Sequence, residues 1–159
     1  MGQFVDRKKL KLTCEQLRHS KQIVFTNGCF DILHIGHIKY LQEAKQQGDL
    51  LVVGVNTDAS VQRLKGPSRP IQKEQDRAEI LSALACVDFV TLFDEDTPLN
   101  LIQEIMPHVL VKGGDWKPEQ IVGSDIVQAA GGKVLSLHFI EGRSTTNIVN
   151  SLLSKGSIN

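Results

Sequence analysis

The chain has 159 residues, 41% of them hydrophobic, and its 18 basic and 18 acidic side chains cancel to a formal charge of zero. That length suits one domain able to bury roughly 70% of its unfolded surface, and the charge balance excludes an overall field that would draw the chain to nucleic acid or an anionic membrane. The three cysteines, Cys14, Cys29 and Cys86, are odd in number and lack zinc-ribbon spacing, which excludes a disulfide framework and points to a reducing cytoplasm.

Residues 1–20 read as an N-terminal extension. Met1 to Lys9 carries no signal-peptide core, and Thr13 is expected to cap a short helix, with Gln16 at the capping-box position. Nowhere do about eighteen uncharged apolar residues run together, so no membrane span is expected. From residue 21 to 154, β-branched runs alternate with longer amphipathic stretches, the pattern of parallel strands joined by helical crossovers. Strands are expected at Gln22–Phe25, Leu50–Val55, Phe89–Leu92, Val109–Val111 and Lys133–Ser136. Helices fill the gaps at Ile35–Gln46, Ala59–Leu64, Lys73–Leu84, Pro98–Ile105, Ser124–Ala130 and Thr145–Leu153, and residues 155–159 form a tail. The class is α/β: a single domain with a Rossmann-like, doubly wound parallel sheet of about five strands.

The most informative stretch runs from Thr26 to His37, leaving the first apolar strand, turning through Gly28 and opening a helix that carries two histidines. A helix start offers unpaired N–H groups and a partial positive charge to an anion. His34 and His37, three apart, share a face of the first turn, and Gly36 has no side chain to hold a phosphate away from the backbone. In a doubly wound sheet ligands lie beyond the carboxyl ends of the strands. That edge gathers Asn27–His37, Asn56–Asp58, Lys112–Trp116 and Glu141–Thr146. Lys65 and Arg69 stand in a proline-stiffened loop suited to closing over phosphates. Asp31, His34 and His37 also have the composition of a two-histidine, one-carboxylate metal site. The further anion-binding blocks argue against that reading, and no dedicated metal site is assigned.

His34-Ile35-Gly36-His37 resembles the His-x-Gly-His signature of the nucleotidyltransferase superfamily. With Lys65–Pro70, Val111–Trp116 and Arg143–Ile148 in the same order, the chain is similar, from about Lys21 to Leu153, to the branch that makes ADP-heptose for lipopolysaccharide. The resemblance implies transfer of an adenylyl group from ATP, accompanied by Mg2+, to D-glycero-β-D-manno-heptose 1-phosphate with release of pyrophosphate. It assigns His34, His37, Lys65 and Arg143 to catalysis. Nucleotide binding falls to Thr26, Asn27, Gly28, Phe30, Gly36, His37, Lys112, Gly113, Asp115, Ser144, Thr145 and Thr146. The acceptor falls to Asp31, Asp58, Lys65, Arg69 and Arg77. Trp116 is read evenly as a packing partner of the base or a seal on its loop. Small-molecule substrates, a homodimer or higher homo-oligomer, and a separate heptose kinase upstream are the partners implied. Two alternatives stay open: transfer to another phosphorylated acceptor, such as glycerol phosphate or phosphopantetheine, and a non-catalytic nucleotide-binding module. Phe139 and Arg143 depart from the pattern of the glycerol-phosphate cytidylyltransferases, which favours adenylyl over cytidylyl chemistry.

Overall fold

The computed structural model describes residues 2–138 and 144–155. Six strands, β1 (Gln3–Phe4), β2 (Ile23–Gly28), β3 (Leu50–Asn56), β4 (Phe89–Phe93), β5 (Val109–Gly113) and β6 (Lys133–Leu137), form one sheet. Their order is β1-β4-β3-β2-β5-β6, with every pairing parallel. The helices are α1 (Arg7–Leu17), α2 (Ile35–Lys45), α3 (Asp58–Lys65), α4 (Glu74–Ser82), α5 (Leu99–Ile105), α6 (Ser124–Ala129) and α7 (Thr145–Lys155).

β2 shows why the sheet is covered on both faces. Val24 packs with Leu41, Ala44, Leu51 and Leu81 on one side, whereas Ile23 and Phe25 join Leu10, Leu101, Ile102 and Val127 on the other. Successive side chains of a strand point to opposite faces, so a strand apolar at every position needs helices above and below it. Helices α2 and α4 supply one layer; α1, α5 and α6 supply the other. The order grows outward from β2 through β3 to β4, then resumes on the opposite side with β5 and β6. The switch point therefore lies between β2 and β5, where such a sheet binds its ligand.

The strands and helices expected from residue 21 onward are present, with ends within about three residues. The sheet gains a sixth strand, β1, whose Gln3 and Phe4 pair with Phe89 and Val90. Two residues are too few to display an alternation in the sequence. The first helix also begins earlier than expected. Asp6 caps it by accepting from the Lys9 N–H at 2.9 Å, and Thr13 lies inside it with its hydroxyl on the Lys9 carbonyl at 2.9 Å. Asp is as good an N-cap as Ser or Thr, and the earlier start adds a turn that brings Leu10 into the core. No described helix is long and apolar enough to cross a membrane.

Candidate active site

The chain leaves β2 and turns through Phe30 at φ 47, a left-handed conformation uncommon for an aromatic residue. Packing holds it there. The Phe30 ring is 6% exposed and meets His37 edge-on, centroids 5.2 Å apart. A Cβ on Gly28 would lie 3.0 Å from the same ring, so the glycine lets Phe30 fold under the end of the strand. Helix α2 then starts with no acidic residue in its first turn, leaving its N–H groups and positive end for an external anion.

His34 occupies the N-cap position with extended backbone, yet its side chain makes no capping bond. Instead its ring stacks on that of His37, centroids 3.8 Å apart and planes 24° from parallel. The Nδ1 of each ring is buried and finds no partner among the described residues. Burial holds His34 below the ordinary imidazole range. Burial, then the charges of His34 and Lys65, push His37 down to about 4. Neutral rings each keep one N–H to donate.

Phosphate oxygens brought against these rings favour their protonated form, so nucleotide binding is expected to take up protons and to tighten as pH falls toward about 6. Calorimetry in two buffers of different ionisation heat checks this; identical heats in both would overturn it. Without ligand the sign is reversed. The folded pKa of His37 lies near 4 against 6.5 ordinarily, so the unfolded chain binds more protons in that window and the free protein loses stability as pH drops through it.

A cavity of about 500 Å³ opens at the switch point, within the range of ligand sites. Asn27, Gly28, Phe30 and His37 form its β2 side, Lys112, Gly113 and Trp116 its β5 side, and Lys65 and Thr145 also line it. Burial lowers the pKa of Lys112. The Trp116 indole donates to the Gly113 carbonyl at 3.2 Å, which seats the ring at the wall while leaving the residue 47% exposed. Thr145 also donates to the Ile32 carbonyl at 3.3 Å, tying the start of α7 to the histidine loop.

Other expected site residues stand elsewhere. Thr26 is fully buried, its hydroxyl 2.5 Å from that of Tyr40, and Gly36 is buried in the first turn of α2. Asp115 turns outward to His138 Nδ1 at 2.8 Å, with most of its side chain in solvent. Ser144 caps α7 by accepting from the Asn147 N–H, and Thr146 is exposed. Arg143 lies outside the described residues, as does Phe139.

The residues assigned to the acceptor form a framework. Asp31 is 4% exposed. Burial works against its charge, but the N–H of Gln72, the Arg69 guanidinium and the N–H of Ile71 together hold its carboxyl below the usual range. Arg77, 1% exposed, donates to the Gln72 carbonyl at 3.0 Å, the Cys29 carbonyl at 2.5 Å and the Asp58 carboxylate at 2.7 Å. Asp58 in turn donates its N–H to Glu74 at 2.6 Å. With Asp31 facing these partners, no group of three or more His, Cys, Asp or Glu among the described residues is placed to hold a metal ion.

Sequence reasoning missed the segment after β4. Asp96, Thr97 and Pro98 line the cavity, whereas Cys29 and Asn56, which also line it, fall within blocks already expected at that edge. The rule that gathers ligands at strand carboxyl ends applied to β4 as much as to its neighbours.

A doubly wound parallel sheet with stacked imidazoles at a helix start beside its switch point is suited to holding the phosphates of a nucleotide, and the family match gives the class, a nucleotidyltransferase. Residues 25–149 match the cytidylyltransferase-like family, and the chain belongs to it. The chain is 59% identical over 138 residues to the bifunctional protein HldE of Syntrophotalea carbinolica, covering 87% of this chain and 28% of that one. It is 61% identical over 133 residues to HldE of Geobacter metallireducens, covering 84% and 27%. The chain thus spans under a third of the length of these curated relatives. Among solved structures it is similar to a lipopolysaccharide core biosynthesis protein of Thermoplasma volcanium, at 31% identity and a TM-score of 0.63, over 78% of this chain and 100% of that one. The pantoate-beta-alanine ligase of Francisella tularensis shares the fold, with 16% identity and a TM-score of 0.61 over 95% of this chain and 77% of that one.

Proposed function

We propose that this chain joins ATP to a heptose 1-phosphate and releases pyrophosphate. The observation that carries the reading is the stacked His34–His37 pair at the start of α2, beside a cavity that β2 and β5 share. An oxygen of the acceptor phosphate attacks the α-phosphorus; the new P–O bond forms as the bond to the β-phosphate oxygen breaks, and pyrophosphate carries the electron pair away. No side-chain nucleophile is needed, so the protein's share is positioning and charge stabilisation. His34 and His37 donate to oxygens on the α-phosphate, Lys65 and Lys112 add positive charge, and the Gly113 backbone and Trp116 face the nucleoside. Arg143, two positions ahead of Thr145 in the sequence, completes the catalytic set that the resemblance implies. A magnesium ion accompanying the triphosphate would neutralise part of its charge. The heptose acceptor is supported by similarity to HldE and to the lipopolysaccharide core biosynthesis protein, and a sugar kinase must set its anomeric phosphate beforehand.

The family's name favours one competing reading, transfer from CTP. Purified protein incubated with each nucleoside triphosphate and each acceptor, with pyrophosphate and nucleotide sugar followed by chromatography, separates them. ATP with heptose 1-phosphate is expected to give ADP-heptose, and ATP with heptose 7-phosphate to give nothing. Preferred turnover of CTP, or of glycerol phosphate, would overturn the proposal.

A further inference from the structure

Lys65 and Arg69 share one short basic stretch, yet the structure gives them different surroundings. Lys65 ends α3 and lines the cavity, and its charge is felt by His37. Arg69 is turned onto Asp31 Oδ2 at 2.8 Å, the two side chains 19% and 4% exposed. The other carboxylate oxygen accepts the N–H groups of Ile71 at 2.7 Å and Gln72 at 3.0 Å. All three bonds come from residues 69–72. A second tie is the buried Arg77, which bridges the Gln72 and Cys29 carbonyls. Asp31 and Cys29 both belong to the loop that carries the histidines. At the other end of the stretch Gly66 adopts φ 94 and ψ 168, a backbone state nearly confined to glycine.

We propose that Asp31 is a positioning residue: its carboxylate latches residues 69–72 to the histidine loop, which sets Lys65 at the cavity, and it acts on the transfer only through that loop. A carboxylate offers about four lone-pair sites. Three are engaged, so although Asp31 borders the cavity, swinging its buried carboxylate onto a sugar hydroxyl would strip Arg69 and two backbone N–H groups of their partner. The effect on turnover rests on the transferase reading; the latch itself does not.

Limited proteolysis tests the latch without any acceptor. Trypsin can cut the Lys65–Gly66 bond, whereas Arg69 precedes a proline and is spared. Asp31→Asn turns an amide toward Arg69, and Arg69→Gln leaves the carboxylate in place but removes the ion pair. Each is expected to speed cleavage at Lys65–Gly66, read by mass spectrometry, by about tenfold. The double variant, which can pair amide with amide, should be no worse than either single one. In steady-state assays both single variants should lower turnover while leaving the acceptor KM within about twofold. Parental cleavage rates in Asp31→Asn, or a raised acceptor KM that adds to the effect of Arg69→Gln, would overturn the proposal and return Asp31 to direct acceptor contact. Should Asp31→Asn fail to fold by circular dichroism, unchanged cleavage of Arg69→Gln overturns it alone. A protein that transfers no nucleotidyl group still gives the cleavage result.

Discussion

Replacing His37 by alanine is expected to lower turnover by roughly 10²–10³-fold, the loss seen when one donor to a developing negative charge is removed. The ring is held on two sides, stacked on His34 and edge-on to Phe30, so its donor needs no reorganisation when charge develops. Alanine also removes a ring whose Nδ1 is buried with no partner among the described residues, so the fold should tolerate the change. Nucleotide affinity should fall far less than turnover, because the donor's value lies in the transition state. Rapid-quench measurement of a single turnover, with circular dichroism as the control, checks both halves. A folded His37→Ala protein turning over at the parental rate would remove the imidazole pair from the mechanism.

Arg77→Ala is expected to cost about 3 kcal/mol of stability and to lower Tm by on the order of 10 °C at this chain length. Its guanidinium is buried and bonded to two carbonyls and a carboxylate, and alanine leaves the Cys29 and Gln72 carbonyls without a donor. The Asp58 side chain is 33% exposed, so water can recover its charge, which keeps the figure below that for a fully enclosed broken pair. Arg77→Lys should recover little, since one ammonium on a flexible stem does not reproduce a planar fork across three acceptors. Thermal unfolding followed by circular dichroism decides it. A Tm within about 2 °C of the parent would show that the three bonds are replaced by solvent.

These two residues also mark what the sequence made legible. The histidine pair could be read directly, because a spacing of three on a helix start fixes both side chains to one turn, and the β-branched runs gave the strands because burial on both faces requires them. The charged residues were harder. Asp31 meets Arg69, Arg77 meets Asp58, and Asp115 meets His138, each across a separation that only the folded sheet closes. The sequence shows that a carboxylate stands at the right edge, but not which cation reaches it first. The Asp96–Pro98 wall escaped notice for another reason: no motif block fell there, although the strand-end rule pointed to it. β1 escaped because a two-residue strand has no pattern of its own.

The register of β2 has a consequence for how the protein is made. Along one side β2 pairs with β3 from Ile23–Leu50 to Gly28–Val55, a partner soon synthesised, whereas on the other Val24 and Phe25 meet Val109 and Leu110. At 5–20 residues per second, Lys112 leaves the ribosome roughly 4 to 15 seconds after His37. For that interval the nascent chain carries its histidine loop with one flank of the central strand unpaired, and an apolar flank of that kind invites wrong partners.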